Sequence, residues 1–179
     1  MLLGIKDLLK LIKKKKLIEG LSERELENPE GAGFDLRMGE VYDLEGYGYL
    51  GIDERETPKS KLVAKYNPKK VTSYIFEPGK YYLIKTVEKI NLPNNISGII
   101  FPRTTLFRSG LVLFNGIANT GYQGELTFGL CNLGKSNIKV DMGARVVHIT
   151  FHEVRGEGSQ YRGQWQGGRV TTEGREKQI

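Results

Sequence analysis

The spacing of hydrophobic residues along the chain changes near residue 30. Over 5–18, apolar residues recur every three or four positions with lysines between them, and this pattern predicts an amphipathic helix. From residue 31 onward, short runs rich in Val, Ile, Tyr and Phe alternate with turn residues. These runs predict nine strands, at 33–36, 61–64, 73–76, 81–86, 96–101, 111–114, 125–131, 138–140 and 145–152.

Turn-forming residues separate the predicted strands. Gly, Pro, Asn and Asp cluster at 77–79, 92–95, 132–135 and 141–143. Many short strands at this spacing are typical of a sandwich, jelly roll or small barrel, so the expected fold class is all-β with a short N-terminal helix.

The chain is expected to divide into three parts. These are a helical appendage at 1–30, a β domain at 31–155 and a flexible C-terminal arm at 156–179. The arm is polar and carries six glycines, which is typical of a disordered tail. Its aromatic residues and arginines would equally allow it to fold over a ligand.

Composition narrows the class of protein. Of 179 residues, 39% are hydrophobic, which is enough for a packed core, and the single cysteine excludes an intramolecular disulfide or a CxxC zinc site. The sequence shows neither a signal peptide nor a membrane-spanning run, so a cytoplasmic location is expected. Six lysines in the first twenty residues account for much of the net charge of +6. We interpret them as the solvated face of the helix, and expect no membrane partner and no nucleic-acid partner. The alternative is a basic N-terminal helix that docks on nucleic acid or a membrane.

Three segments carry residue types suited to a nucleotide. Segment 31–37 combines small residues with one carboxylate, Asp35. Segment 102–110 holds two arginines and two hydroxyls on what is expected to be a helical turn, and these are groups that bind phosphates. Segment 115–125 contains three glycines and is predicted to form a β-hairpin. The backbone of this hairpin could contact a base while an aromatic residue packs on a sugar.

These segments, in this order, resemble motifs of the dUTPase and dCTP deaminase superfamily, and most closely the archaeal-type dUTPases. The similarity runs from about residue 31 to residue 168. The matching segments are 33–37, 103–108 (the Arg-Ser-Ser-x-x-Arg motif), 121–125, 143–151 and, for the archaeal C-terminal arm, 161–167.

The resemblance implies a distorted jelly roll, or β-clip barrel, that assembles as a homotrimer with active sites at subunit interfaces. The substrate it implies is a deoxynucleoside triphosphate. Mg²⁺ would be held by the triphosphate and water rather than by the protein directly. Asn119 and Asp35 would line the water and the metal.

The resemblance also assigns substrate-binding roles. Four residues would hold phosphates, with Arg108 crossing to a neighbouring site: Arg103, Thr104, Thr105 and Arg108. Tyr122 and the backbone around Gly124 would take the deoxynucleoside. Tyr161, Arg162 and Gln166 of the arm would close over it.

Three positions depart from the family pattern. Asn119 stands where the catalytic aspartate is expected, and an amide can orient a water but cannot accept its proton. Substitute bases could be Asp35 or Glu125. Gly129 stands where dCTP deaminases carry a glutamate, and His148 stands where the family has glutamine.

We therefore expect a dUTP diphosphatase that forms dUMP and pyrophosphate. The alternatives are a dCTP deaminase, alone or bifunctional, and a deoxynucleotide-binding trimer impaired in catalysis at Asn119.

Overall fold

Strands dominate the fold. The structure is a computed structural model and describes residues 1–156 and 158–178; Glu157 and Ile179, which fall in the expected arm, lie outside the described residues. The helices are α1 (Ile5–Lys15), α2 (Glu23–Glu27) and α3 (Thr104–Arg108). The strands are β1 (Ile18–Glu19), β2 (Gly33–Glu45), β3 (Tyr49–Leu50), β4 (Glu54–Glu56), β5 (Lys59–Lys65), β6 (Ser73–Phe76), β7 (Tyr81–Asn91), β8 (Ile96–Pro102), β9 (Leu111–Phe114), β10 (Ile117–Ala118), β11 (Gln123–Asn132), β12 (Ile138–Asp141), β13 (Arg145–Glu153) and β14 (Glu176–Lys177).

One large antiparallel sheet curls into a half-barrel, which confirms the expected all-β, jelly-roll-like class. Its order is β10-β8-β13-β2-β7-β11-β9, with β1 added on β7 and β5 added on β2. Two small sheets, β12-β6 and β14-β4-β3, complete the pairing within the described residues. Every strand predicted from the pattern is present.

The core lies on the inner face of the half-barrel, where alternate residues of the long strands are buried. In β13, for example, Val147, Ile149 and Phe151 are fully buried while the residues between them are partly exposed. This period of two is the pattern that allowed the strands to be predicted.

The first helix ends three residues earlier than predicted. Lys16 adopts a left-handed backbone conformation with φ of 52°, and this ends α1 after Lys15. The chain then turns, so that Ile18 pairs with Ile90 of β7 in β1. Leu8 is fully buried, so α1 packs against the half-barrel.

The elements that the pattern did not predict are short. Strands β1, β3, β4, β10 and β14 have only two or three residues each, too few for an alternation to be recognised. Strand β2 is much longer than predicted because it continues through Gly39, where the register with β7 shifts. A Cβ at Gly39 would lie 2.8 Å from the backbone of Thr86, so only glycine allows this close approach.

Candidate nucleotide site

The 115–125 loop is wider than the predicted hairpin. Strands β9 and β11 on either side of it pair antiparallel, as a hairpin requires, but their pairing starts only at Phe114 and Gly129. Between these points β10 pairs with β8 instead. The loop therefore opens a gap beside the free edge of β11, and its tip is a turn in which the Tyr122 N–H donates to the Asn119 carbonyl over 3.1 Å.

The C-terminal arm lies directly on this loop. The Gln166 side chain accepts a hydrogen bond from the Gln123 N–H (3.1 Å) and donates one to the Gly121 carbonyl (3.2 Å). The Tyr161 N–H donates to the Thr120 carbonyl over 2.7 Å. The arm thus closes on its own chain through polar contacts at the turn.

Gly124 permits this closure. Its φ is +139°, and a Cβ added to it would lie 2.5 Å from the Gly168 nitrogen and 2.7 Å from the Gly167 carbonyl carbon. Both atoms belong to the backbone of the arm, so a side chain at this position would push the arm away. Gly124, predicted to contact substrate, here contacts the arm.

The loop and the arm enclose a cavity of about 390 Å³. Its walls are largely aromatic and apolar, and six of the residues lining it are Leu83, Asn119, Tyr122, Thr127, Tyr161 and Trp165. This volume lies within the range of small-molecule pockets. Two predicted groups, the loop residues Asn119 and Tyr122 and the arm residue Tyr161, are brought together here.

Tyr122 forms a rigid wall of this cavity. Its ring packs edge-on against Tyr161 with centroids 5.5 Å apart, and its hydroxyl donates to the Glu125 carbonyl. Burial raises the pKa of Tyr122 to about 12, so the hydroxyl stays protonated at neutral pH. Its role here is therefore packing rather than proton transfer.

A second anchor holds the far end of the arm. The Arg55 guanidinium lies 4.5 Å from the ring centre of Trp165, a cation–π contact, and Arg169 lies 5.9 Å away. Both arginines form ion pairs with Glu176, at 3.2 Å and 2.9 Å. Glu176 belongs to β14, which pairs with β4, so the anchor fixes Trp165 and Arg169 at the cavity.

Asp35 lies in a separate cluster of charges. It is 4% exposed and contacts Arg103, Arg145 (3.0 Å) and Nδ1 of His148 (2.9 Å). The backbone N–H of Asp35 donates to the buried carboxylate of Glu25 over 2.9 Å. The Asp35 carboxylate is therefore occupied by cations and is not a free base.

His148 is held neutral in this cluster. Burial lowers the pKa of His148 below its ordinary value, and the charge of Arg103 acts in the same direction, while Glu25 opposes them. A neutral imidazole that donates from Nδ1 to Asp35 fits this environment.

The phosphate-binding residues predicted from the second motif do not line the 390 Å³ cavity. Arg103 and Thr104 border a smaller cavity of about 290 Å³ beside Asp35 and His148. Thr105 borders another of about 480 Å³. Thr104, Thr105 and Arg108 are exposed on α3, so within one chain these hydroxyls and this guanidinium face outward.

Arg162 also lies outside the 390 Å³ cavity. It borders an adjoining space of about 600 Å³ that shares Asn119 and Tyr161 with that cavity. Of the two predicted catalytic positions, Asn119 therefore borders both of these spaces, whereas Asp35 borders neither.

No carboxylate lines the 390 Å³ cavity among the described residues. Glu125, the other substitute base suggested by the sequence, lies with its side chain 3.7 Å from Lys89 and against the arm at Gly168. Neither candidate base thus lies at Asn119.

Gly129 is overlaid by a tyrosine. A Cβ built on Gly129 would overlap the hydroxyl of Tyr81, a residue of the neighbouring strand β7. Tyr81 itself packs against Phe114, with ring centres 5.9 Å apart. Position 129, where a deaminase would be expected to carry its glutamate, therefore has no room for a side chain while Tyr81 keeps this conformation.

Direct binding of Mg²⁺ by the protein does not fit these residues. Within 1–156 and 158–178, no three or more His, Cys, Asp or Glu residues cluster in a way that could hold a metal. Asp35, the carboxylate suggested by the sequence, is already neutralised by two arginines.

Within residues 1–156 and 158–178, no helix is long and apolar enough to cross a membrane.

The curled half-barrel sheet belongs to the dUTPase-like class of folds. The sequence profile of the dCTP deaminase-like family matches residues 2–154, and the chain belongs to this family. This confirms the resemblance inferred from the motifs.

Named relatives divide between two reactions. A probable deoxyuridine 5'-triphosphate nucleotidohydrolase of Methanothermobacter thermautotrophicus is 33% identical over 135 residues, 75% of this chain and 85% of that protein. A dCTP deaminase of Thermococcus kodakarensis is 32% identical over 157 residues, 87% of this chain and 88% of that protein. The family is therefore one of enzymes that act on deoxynucleotides, and membership of it does not decide between dUTP hydrolysis and dCTP deamination.

Solved structures share the fold at low identity. The dCTP deaminase from Agrobacterium tumefaciens superposes with a TM-score of 0.64 at 16% identity, covering 86% of this chain and 49% of that chain, so this chain spans about half its length. A D95N mutant dUTPase from phage phi11 of S. aureus, with a structural Mg(II) ion, has a TM-score of 0.51 at 15% identity, covering 81% of this chain and 95% of that chain.

Three residues at the site were not predicted from the sequence. Arg169 and Thr127 line the cavity, and Tyr81 covers Gly129. Trp165, which also lines the cavity, belongs to the aromatic segment of the arm that was expected to fold over a ligand. The others sit on strands or in the tail with no feature that distinguishes them from packing residues.

Proposed function

We propose that this protein is a dUTP diphosphatase, which hydrolyses dUTP to dUMP and pyrophosphate. The observation that carries the proposal is the cavity between the 115–125 loop and the arm, which is of ligand size and is walled by Tyr122 and Tyr161. The deoxynucleoside would lie in this cavity, with Tyr122 packed against the deoxyribose so that a 2′-hydroxyl has no room.

The phosphates would leave the cavity toward basic and hydroxyl groups. Thr104, Thr105 and Arg108 are exposed on α3 and do not line the cavity of their own chain. This arrangement supports a homotrimer in which α3 of one subunit completes the site of its neighbour. Guanidinium groups there would stabilise charge that develops on the phosphates during hydrolysis.

Mg²⁺ would be held by the triphosphate and water, since the described residues 1–156 and 158–178 offer it no cluster of protein ligands. The protein's own part is to hold the nucleoside, exclude bulk water under the arm and orient the attacking water. Asn119 borders the cavity and can orient that water through its amide, but cannot remove the proton. Slow turnover is the expected consequence.

Deamination of dCTP is disfavoured by Gly129 and Tyr81. A proton-shuttling carboxylate at position 129 is missing, and the Tyr81 hydroxyl fills the space next to its Cα. A zinc-dependent route has no support either, because the chain has a single cysteine.

The second candidate is a protein that binds deoxynucleotides without hydrolysing them. Two observations favour it: Asn119 cannot act as a base, and no carboxylate lines the cavity among the described residues. The two candidates differ in turnover but share the ligand.

One experiment separates them. Wild-type protein at high concentration is incubated with dUTP and with dCTP, and pyrophosphate and ammonia are both measured. We expect pyrophosphate from dUTP and no ammonia from dCTP. The Asn119→Asp variant should raise pyrophosphate release by about 100-fold or more, the typical contribution of a positioned general base.

Other results have distinct meanings. Tight dUTP binding by calorimetry with hydrolysis only in Asn119→Asp would establish the second candidate. Ammonia release from dCTP would establish a deaminase. Loss of existing activity in Asn119→Asp would show that the role given to this position is wrong.

A further inference from the structure

Part of the cavity wall belongs to the arm and not to the half-barrel. Trp165 and Arg169 line the cavity, yet neither residue lies on a strand of the large sheet. Three hydrogen bonds attach the chain on both sides of Trp165 to the 115–125 loop, one at Tyr161 and two at Gln166. None of these bonds involves the indole ring, so a different contact sets where the ring lies.

One carboxylate organises the contacts of the indole. Oε1 of Glu176 accepts hydrogen bonds from Nε and Nη2 of Arg55, both at 3.2 Å, and Oε2 lies 2.9 Å from Nη2 of Arg169. The two guanidinium groups lie 4.5 Å and 5.9 Å from the centre of the Trp165 ring. Two cations beside one ring repel each other, and the carboxylate that both contact offsets this repulsion. Glu176 therefore allows both arginines to hold the same indole.

Glu176 itself does not line the cavity, and neither does Arg55. The two residues are cross-strand partners in the small β14-β4-β3 sheet, which is separate from the half-barrel sheet. Their side chains are only 20% and 16% exposed, so salt screens this pair less than a surface pair. Any effect of Glu176 on a ligand must therefore act through Trp165 and Arg169.

Other contacts hold the end of the arm in place without Glu176. The Thr57 N–H donates to the Thr172 hydroxyl over 3.0 Å, and the Thr172 N–H donates to the Thr57 hydroxyl over 2.8 Å. Further along, the Gln178 N–H donates to the Asp53 carbonyl over 2.9 Å. Loss of the Glu176 charge is therefore expected to free the indole without releasing the end of the arm.

We propose that Glu176 is a positioning residue for nucleotide binding, which holds Trp165 and Arg169 as a wall of the cavity through its two arginine contacts. The inference rests on the proposed function in so far as the ligand is a deoxynucleotide. Without the carboxylate, fewer molecules have this wall in place before the ligand arrives. The apparent affinity falls in proportion to that fraction.

Nucleotide binding and the Glu176 contacts must favour each other equally. If the held wall raises the affinity for the nucleotide, then bound nucleotide raises the fraction of molecules with the wall in place by the same factor. Saturating ligand should therefore return the indole to its wild-type surroundings in a variant that lacks the carboxylate. A purely structural role for Glu176 has no such consequence.

The test compares the wild type with Glu176→Gln, which removes the charge at nearly constant shape. Calorimetry measures the binding of α,β-imido-dUTP, and the emission of Trp165, the only tryptophan, reports on the indole. We expect binding about 10-fold weaker in the variant, as when about one molecule in ten keeps the wall in place. Its emission should be red-shifted without ligand and should return to the wild-type position at saturating α,β-imido-dUTP.

Arg175→Gln is the matched control from the same small region. Arg175 precedes Glu176 in the chain, and its guanidinium lies 4.3 Å from the ring centre of Tyr49 and 3.9 Å from Glu56. It thus makes the same two kinds of contact, but its aromatic partner is not Trp165, and it does not line the cavity. Affinity and emission in Arg175→Gln should match the wild type.

Arg55→Met removes the same contact from the other side, and it serves in place of Glu176→Gln if that variant fails to fold. It should weaken α,β-imido-dUTP binding to a similar extent. Because both residues act through one shared contact, the double variant should bind no more weakly than the weaker single variant. Losses that multiply in the double variant would contradict a shared route.

Two results would overturn the inference while leaving the proposed function intact. These are wild-type affinity in Glu176→Gln, and equal weakening in Glu176→Gln and Arg175→Gln. Emission that stays red-shifted at saturating ligand would assign Glu176 a structural role instead. Failure of the wild type to bind α,β-imido-dUTP at all would reject the proposed function, and the inference with it.

Discussion

Replacing Gly124 by alanine should open the arm without unfolding the β domain. The new Cβ would meet backbone atoms of Gly167 and Gly168 at 2.5–2.8 Å, and neither can move aside while the arm stays closed. The φ of +139° adds strain that only glycine avoids. Strain of this kind costs about 1–3 kcal/mol, and the two hydrogen bonds of Gln166 would weaken as well.

A penalty of about 2 kcal/mol on the closed state lowers the closed-to-open ratio by about 30-fold. Trp165 reports the change because it is the only tryptophan and lies in the arm. We expect red-shifted emission and stronger quenching by acrylamide in Gly124→Ala. Amide hydrogen exchange should accelerate at Gln123, whose N–H donates to Gln166 of the arm, and at Tyr161, whose N–H donates from the arm to the Thr120 carbonyl.

The matched control is Gly116→Ala in the same loop. A Cβ at Gly116 meets nothing within 4 Å, and the backbone there requires no glycine. Its fluorescence and exchange should match the wild type. If Gly124→Ala also gave wild-type quenching and exchange, the closed contact between Gly124 and the arm would be refuted.

Three further predictions concern charge. Asp35→Asn should destabilise the fold by about 2–3 kcal/mol in urea unfolding, since it removes the buried negative charge that pairs with Arg103 and Arg145. Asp7→Asn on the exposed face of α1 should cost less than about 0.5 kcal/mol. Burial lowers the pKa of His148 in the folded state, so as the pH falls this histidine is protonated at a higher pH in the unfolded state than in the folded state. Wild-type stability should therefore fall as pH drops below 6.5, and His148→Gln should flatten that fall in urea midpoints. Burial alone would raise the pKa of Glu40, but hydrogen bonds from two lysines and a tyrosine lower it to about 2. The stability that this carboxylate contributes is therefore present above pH 4.5 and is lost as the pH falls from 4.5 to 2. In Glu40→Gln the free energy of unfolding should fall less steeply over this pH range. A Glu40→Gln profile parallel to the wild type would contradict this last expectation.

The sequence was sufficient to predict the sheet because its strands are long and alternate. Strands β6 and β9 begin and end where the pattern placed them, and β13 extends by one residue. The left-handed Lys16 could not be foreseen, since lysine rarely adopts that conformation and nothing nearby marks a helix end.

The candidate site was predicted in its parts but not in its arrangement. Tyr122, Asn119 and Tyr161 were named and do meet around one cavity. Asp35 was suggested as a base, yet its partners come from the start of α3 and from β13, far along the chain, and long-range charge pairing has no local signature.

The arm has two attachments on its own chain, one at the 115–125 loop and one at β4 through β14. If only the first attachment releases, the second still tethers the segment, so that reclosing is an intramolecular step with a high effective concentration. Opening of the arm would then require only a short movement of the residues near Gln166. The rate of this opening should be independent of protein concentration.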